Sequence, residues 1–124
     1  MNWRQLPGAP APGTVLARLE AVPDGGALLA NLGAEAAPFK IILLRSGRAV
    51  FAYVNRCAHF GVPLAEKTEH LGIRPHESIR CCVHYARYRW RDGSCESGEC
   101  EGAGLLPISL VVRDGLIAIA ADDA

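Results

Sequence analysis

An all-β domain, a sandwich or a barrel, is the fold class that this sequence predicts. Short apolar runs of strand length recur along the chain, glycine-containing turns separate them, and no stretch sustains a helical pattern. Thr14 to Val22 alternates apolar and polar residues over part of its length and stops at the turn signal Pro23-Asp24-Gly25-Gly26. Phe39 to Leu44 and Ala49 to Val54 read as strands around Ser46-Gly47. Ala86 to Trp90 is a further short strand, closed by Asp92-Gly93. Ile108 to Val112 and Leu116 to Ala120 flank Asp114-Gly115, a hairpin signal because both turn residues tolerate positive φ. Ala27 to Ala37 is rich in Ala and Leu, but Gly33 and Pro38 interrupt it and it is too short to stand as a helix. The Pro/Gly/Ala-rich lead from Leu6 to Gly13 reads as a flexible arm.

Composition narrows the function. With 124 residues and half of them hydrophobic, the chain suits one domain with a real core. Its 13 basic and 13 acidic residues leave no basic excess, which argues against a nucleic-acid partner. No apolar run approaches the roughly 18–20 residues that span a bilayer, so no membrane partner is expected. The opening residues show no basic patch followed by an apolar stretch, so a cytoplasmic location is expected. Thiols stay reduced there, and five cysteines, an odd count, favour metal binding over a disulfide framework.

All five cysteines and all four histidines fall between Asn55 and Gly102, in a polar, loop-rich stretch. A segment that long and that polar needs something besides a hydrophobic core to order it, and a metal site supplies that. Cys57-Ala58-His59 and Cys81-Cys82-Val83-His84 each pair a thiolate with an imidazole. Common structural zinc sites instead pair cysteine with cysteine and histidine with histidine at chelating spacings. In extended chain, residues two apart lie about 6–7 Å apart on one face, which is awkward for one metal and suits a two-iron cluster. Two cysteines on one iron and two histidines on its neighbour is the Rieske arrangement.

The stretch Cys57-Ala58-His59-Phe60-Gly61-Val62-Pro63-Leu64 resembles the first cluster loop of Rieske ferredoxins. Cys81-x-x-His84, followed by Tyr88, Asp92-Gly93 and Ser97-Gly98, is similar to the second loop and its trailing segment. Leu106-Pro107-Ile108 and the hairpin through Asp114-Gly115 resemble the end of that family, so the similarity covers roughly residues 48–120. The sequence departs from the family at Tyr85, usually Gly, at Cys82, usually Pro, and at Glu99 to Gly102, where the covering loop normally carries Gly-Pro.

The resemblance implies one Rieske domain over residues 1–124. Its sandwich or barrel base, residues 14–54 and 103–121, would hold an inserted cluster-binding subdomain at about 55–102. It implies one [2Fe–2S] cluster per chain on Cys57, His59, Cys81 and His84. The implied role is one-electron transfer from a flavin-dependent reductase to a terminal oxygenase or a similar redox enzyme. The chain is then a component of an oxidoreductase system and not itself an enzyme, since no nucleophile with its base and no nucleotide-binding glycine loop is visible. Two alternatives stay open: a small subunit of a nitrite-reductase-type complex, and a binding module stabilised by one zinc at the same four residues. An apo β-domain serving only as a scaffold is a third.

Further roles follow from the same resemblance. Tyr88, four residues after His84, is expected to donate a hydrogen bond to a ligand cysteine sulfur, which would favour the reduced cluster and raise its potential, with a ring packed in the base and its hydroxyl at the surface as the alternative. Phe60 and Tyr85, each following a ligand histidine, would form an aromatic rim for a redox partner, with loop packing as the alternative. High-potential members carry an extra disulfide between the two loops. The corresponding positions here are Val62 and Val83, so none is expected, and the potential should fall in the lower part of the roughly −150 to +300 mV Rieske range. Cys82, Cys95 and Cys100 read as small buried hydrophobes, with a Cys95–Cys100 disulfide as the alternative. His70 and His76 are expected to face solvent, with a mononuclear-iron site shared with Glu66, Glu69 or Glu77 as the alternative. Arg87, Arg89 and Arg91 are expected to share one solvated strand face, with docking to an acidic partner as the alternative.

Overall fold

The computed structural model describes residues 3–33, 38–56, 65–80, 86–97 and 104–121. Its strands are β1 (Val15–Arg18), β2 (Ala27–Leu32), β3 (Phe39–Ser46), β4 (Ala49–Val54), β5 (Ser78–Arg80), β6 (Arg87–Arg89), β7 (Cys95–Ser97), β8 (Leu110–Arg113) and β9 (Leu116–Ile119). Between them lie short 3₁₀ turns at Trp3–Gln5, Leu19–Ala21 and Thr68–Leu71, and no α-helix occurs among the described residues. The strands pair antiparallel throughout, in sheets of order β1-β9-β8, β2-β3-β4 and β5-β6-β7. The all-β expectation holds.

The middle sheet explains why its strands read as nearly continuous apolar runs. Side chains alternate between faces along a strand, so a strand buried on both faces needs apolar residues at every position. In β3, Ile41 and Leu43 enter one core with Trp3, Val22, Ile108, Ile117 and Ile119. Ile42 and Leu44 enter the other, with Leu71, Ile79, Tyr88, Trp90 and Leu105. β4 repeats the division, with Ala52 and Val54 on the first side and Tyr53 on the second. All four β3 residues from Ile41 to Leu44 are fully buried, each worth about 1.5–3 kcal/mol of transfer free energy. The sheet β2-β3-β4 is thus the shared wall between the base and the sheet β5-β6-β7.

β2 was not expected as a strand. It forms because Ala27 and Leu29 contact one core and Leu28, Ala30 and Leu32 the other, a tertiary demand that outweighs the helical preference of Ala and Leu. The β8–β9 turn is as expected: Asp114 and Gly115 both have positive φ, 53° and 75°. The lead expected to be a free arm is instead packed on the base. Trp3 is buried edge-on against Phe39 at 6.5 Å, and Leu6 and Ala9 pack on the same core. Arg4 lies 4.5 Å over the Trp3 ring and donates to the Ala120 carbonyl at 3.0 Å. Apolar contact and a cation on an aromatic face offset the entropy of ordering it.

After β7 the chain returns to the base at Gly104, which bridges Ser94, and Leu105 N–H donates to the Gly93 carbonyl at 2.9 Å. Residues 106–108 then run beside β4, with Val54 N–H donating to Leu106 and Ile108 N–H to Ala52. Gly93 is required at this crossing. Its φ is +74°, and a Cβ there would stand 2.8 Å from the Tyr53 ring.

Candidate metal centre

The expected ligands Cys57, His59, Cys81 and His84, and the expected docking residues Phe60 and Tyr85, lie in segments 57–64 and 81–85, outside the described residues. What the structure describes is where each segment begins and ends. The first starts from β4 through Asn55 and Arg56 and ends at Ala65. Asn55 Nδ2 donates to the Ala65 carbonyl at 2.9 Å, and Ala65 N–H approaches Asn55 Oδ1 at 3.4 Å. Asn55 N–H donates in turn to the Lys40 carbonyl at 2.9 Å, so the staple is fixed to β3. Both Asn55 and Ala65 are buried. One amide side chain therefore ties together the two ends of the first segment, at Asn55 and Ala65.

The second segment joins β5 to β6. Arg80 and Arg87 are paired across the two strands, so the chain leaves and returns side by side. Its last flanking residue, Ala86, is buried in the same core cluster as Ala65. Small side chains at both positions let the ends of the two segments reach one apolar cluster. Among the described residues, the two segments thus share a buried cluster at Ala65 and Ala86.

Tyr88 lies in β6 with no exposed surface and makes a further contact of its own. Its hydroxyl is therefore not at the surface, as generic packing on the base would have put it. Tyr53, not singled out from the sequence, ties the middle sheet to β5-β6-β7 through a short hydrogen bond from its hydroxyl to the Trp90 carbonyl. Burial, and then the Asp92 carboxylate, push its pKa well above the usual tyrosine value. Asp92 itself is held below the usual carboxylate range by Ser94, whose hydroxyl and backbone N–H both donate to it, at 2.6 and 2.9 Å.

Cys95 corrects an expectation. It is disulfide-bonded, to a partner outside the described residues, and not a free buried thiol. Its half-buried place in β7 against the core accounts for the reading as a small hydrophobe, and a disulfide was the alternative reading for this residue. His70 and His76 are exposed as expected, yet His76 is engaged. Its Nδ1 is 2.7 Å from Ser46 Oγ and its ring lies 5.8 Å from Trp90. Among the described residues no three His, Cys, Asp or Glu side chains gather closely enough to hold a metal ion. Of the three arginines, Arg87 and Arg89 share the outer face of β6, while Arg91 lies in the following turn, 3.9 Å from Asp92.

A model of the Rieske [2Fe–2S] domain family matches residues 14–113. The chain belongs to that family. The cofactor of a Rieske domain is one [2Fe–2S] cluster, and two Cys/His pairs are the donor set that such a cluster takes. Solved structures share the fold. The ferredoxin of carbazole 1,9a-dioxygenase from Nocardioides aromaticivorans IC177 is 20% identical, with 90% of this chain and 100% of that one covered and a TM-score of 0.63. A Sphingomonas yanoikuyae B1 ferredoxin is 18% identical over 87% of this chain and 97% of its own, at 0.68. The terminal oxygenase of carbazole 1,9a-dioxygenase from Novosphingobium sp. KA1 is 22% identical over 91% of this Rieske domain but only 30% of the oxygenase, at 0.70. Among curated proteins, the terminal oxygenase component CarAa of carbazole 1,9a-dioxygenase from Sphingomonas sp. is 41% identical over 54 residues, 44% of this chain and 14% of that protein. The match thus spans about a seventh of the curated relative's length.

Proposed function

We propose that this Rieske domain is a one-electron carrier whose cluster is held by Cys57 and Cys81 on one iron and by His59 and His84 on the other. The family match over residues 14–113, spanning both Cys/His pairs, carries the reading. Support comes from the common footing of the two segments at Ala65 and Ala86, and from the Asn55 staple that closes the first. When bound, the cluster supplies a reversible one-electron couple. The chain's own residues set its surroundings. Tyr88 is proposed to donate from its hydroxyl towards a ligand sulfur, and Phe60 and Tyr85 to rim the histidine side for a partner.

The electron donor in this reading is a flavin-dependent reductase and the acceptor a terminal oxygenase or similar enzyme, so the chain acts as a component of an oxidoreductase system and not as an enzyme alone. A complex of oxygenase with ferredoxin is known for carbazole 1,9a-dioxygenase, a relative in fold at 18% identity. Among the described residues no helix is long and apolar enough to cross a membrane, and a cytoplasmic carrier is compatible with that. The test is anaerobic purification followed by iron and acid-labile sulfide assays and EPR of the dithionite-reduced protein. About two irons and two sulfides per chain, with a reduced-state signal lost in Cys57→Ser, is the expected result. A colourless protein holding one zinc on the same residues would overturn it.

A further inference from the structure

The sheet β5-β6-β7 has two faces of opposite character. Inward, the cross-strand pair Ile79 and Tyr88 is buried in the core. Outward, the register sets Arg80 opposite Arg87 and Ser78 opposite Arg89, and strand alternation puts all four on one side. Arg74, bridged to Ser78, stands beside them. Like charges directly opposite each other in a sheet destabilise it. Consistent with crowding, burial and then the neighbours Arg74 and Arg80 lower the pKa of the Arg87 guanidinium. Arg87 and Arg89 are nevertheless held in place. Arg87 donates to the buried Ser78 hydroxyl at 2.7 Å, and Arg89 to Ser94 Oγ and the Cys95 carbonyl, both at 3.1 Å. Glu96, 3.5 Å from Arg74, offsets part of the charge.

A solvated face kept only for solubility gains nothing from fixed, mutually repelling cations. Fixed cations are preorganised for an anion, because the cost of ordering them is met before the partner arrives. The face also lies at the neck of the second ligand-bearing segment, between Arg80 and Arg87. We propose that this arginine face is the docking surface for an acidic protein partner in electron transfer. The inference rests on the electron-carrier reading. The even balance of 13 basic and 13 acidic residues over the chain favours a local protein contact over a nucleic acid, which would draw on a wider basic surface.

Small oxidants of opposite charge test the surface with the whole chain and without the unknown partner. One electron passes from the reduced protein to ferricyanide, giving ferrocyanide, or to the cation tris(phenanthroline)cobalt(III), giving its cobalt(II) form. The wild type should be oxidised by ferricyanide at a rate that falls steeply with salt, and by the cobalt complex at a rate that does not. Arg80→Glu should slow the ferricyanide reaction roughly tenfold at low salt, and the milder Arg80→Gln roughly threefold. Arg48→Glu, at the exposed β3–β4 turn, should leave it unchanged. Intact cluster spectra with the same salt dependence for both oxidants, or an Arg80→Gln rate equal to wild type, would overturn the docking surface alone. Tight binding of a short DNA duplex, abolished by Arg80→Gln, would replace it with a nucleic-acid site. A chain that assembles no cluster would overturn the carrier reading, and this inference with it.

Discussion

Replacing Asn55 by alanine isolates the staple that joins Asn55 to Ala65, on either side of the segment carrying the proposed ligands Cys57 and His59. The substitution removes the 2.9 Å bond to the Ala65 carbonyl and the looser 3.4 Å approach from Ala65 N–H. A net hydrogen bond is worth about 1 kcal/mol, and the Ala65 carbonyl, left buried without its amide donor, adds about 1–3 kcal/mol. The longer contact lies beyond good hydrogen-bond geometry and adds little. The expected loss is therefore about 2–4 kcal/mol. For a domain of this size that corresponds to roughly 6–15 °C in thermal midpoint. It should be accompanied by faster release of iron to a chelator under anaerobic conditions, because the first segment loses its closure. Asn55→Asp separates the donor from the acceptor. It keeps Oδ1, cannot donate while ionised, and regains a donor on protonation, so its deficit should shrink as pH falls. Thermal melts and chelator-release time courses on the three proteins decide the matter. A midpoint for Asn55→Ala within the roughly 0.5 kcal/mol of an ordinary surface change, together with wild-type iron release, would refute the staple.

Tyr53→Phe leaves the Trp90 carbonyl without the tyrosine hydroxyl and should cost about 1–3 kcal/mol at neutral pH by chemical denaturation. Because the folded pKa of Tyr53 is raised, its contribution is complete below the unfolded value of about 10 and is lost as pH rises from there towards the folded value. Wild-type stability should therefore fall more steeply above about pH 10 than that of Tyr53→Phe, and parallel curves would show that the raised pKa has no energetic weight. Tyr88→Phe keeps the buried ring and removes the hydroxyl. Its midpoint potential in protein-film voltammetry should drop by roughly tens of millivolts, and an unchanged value would remove Tyr88 from the cluster's surroundings.

The sequence alone determined the strand-and-turn character of the base and the presence of two closely spaced Cys/His pairs. Both are local. The Asp114-Gly115 turn depends on the φ values two adjacent residues accept, and the Cys/His spacing on the reach of a few bonds. It also held, unrecognised, the doubly buried middle sheet: the run Ile41 to Leu44 is apolar at every position because two cores claim alternate residues. Only the tertiary structure decided the contacts between segments far apart in the chain. Ala27 to Leu32 is a strand because β3 and two cores demand it, and Trp3 is anchored because Phe39 and the Ala120 carbonyl lie beside it. Asn55 is an unremarkable polar residue until Ala65 is brought to its side chain, and Tyr53 until Trp90 arrives at its hydroxyl. The arginine face arises in the same way, from a strand register that sets Arg80 across from Arg87. Register and long-range packing depend on which surfaces the whole chain buries together, and no local pattern of residues contains that information.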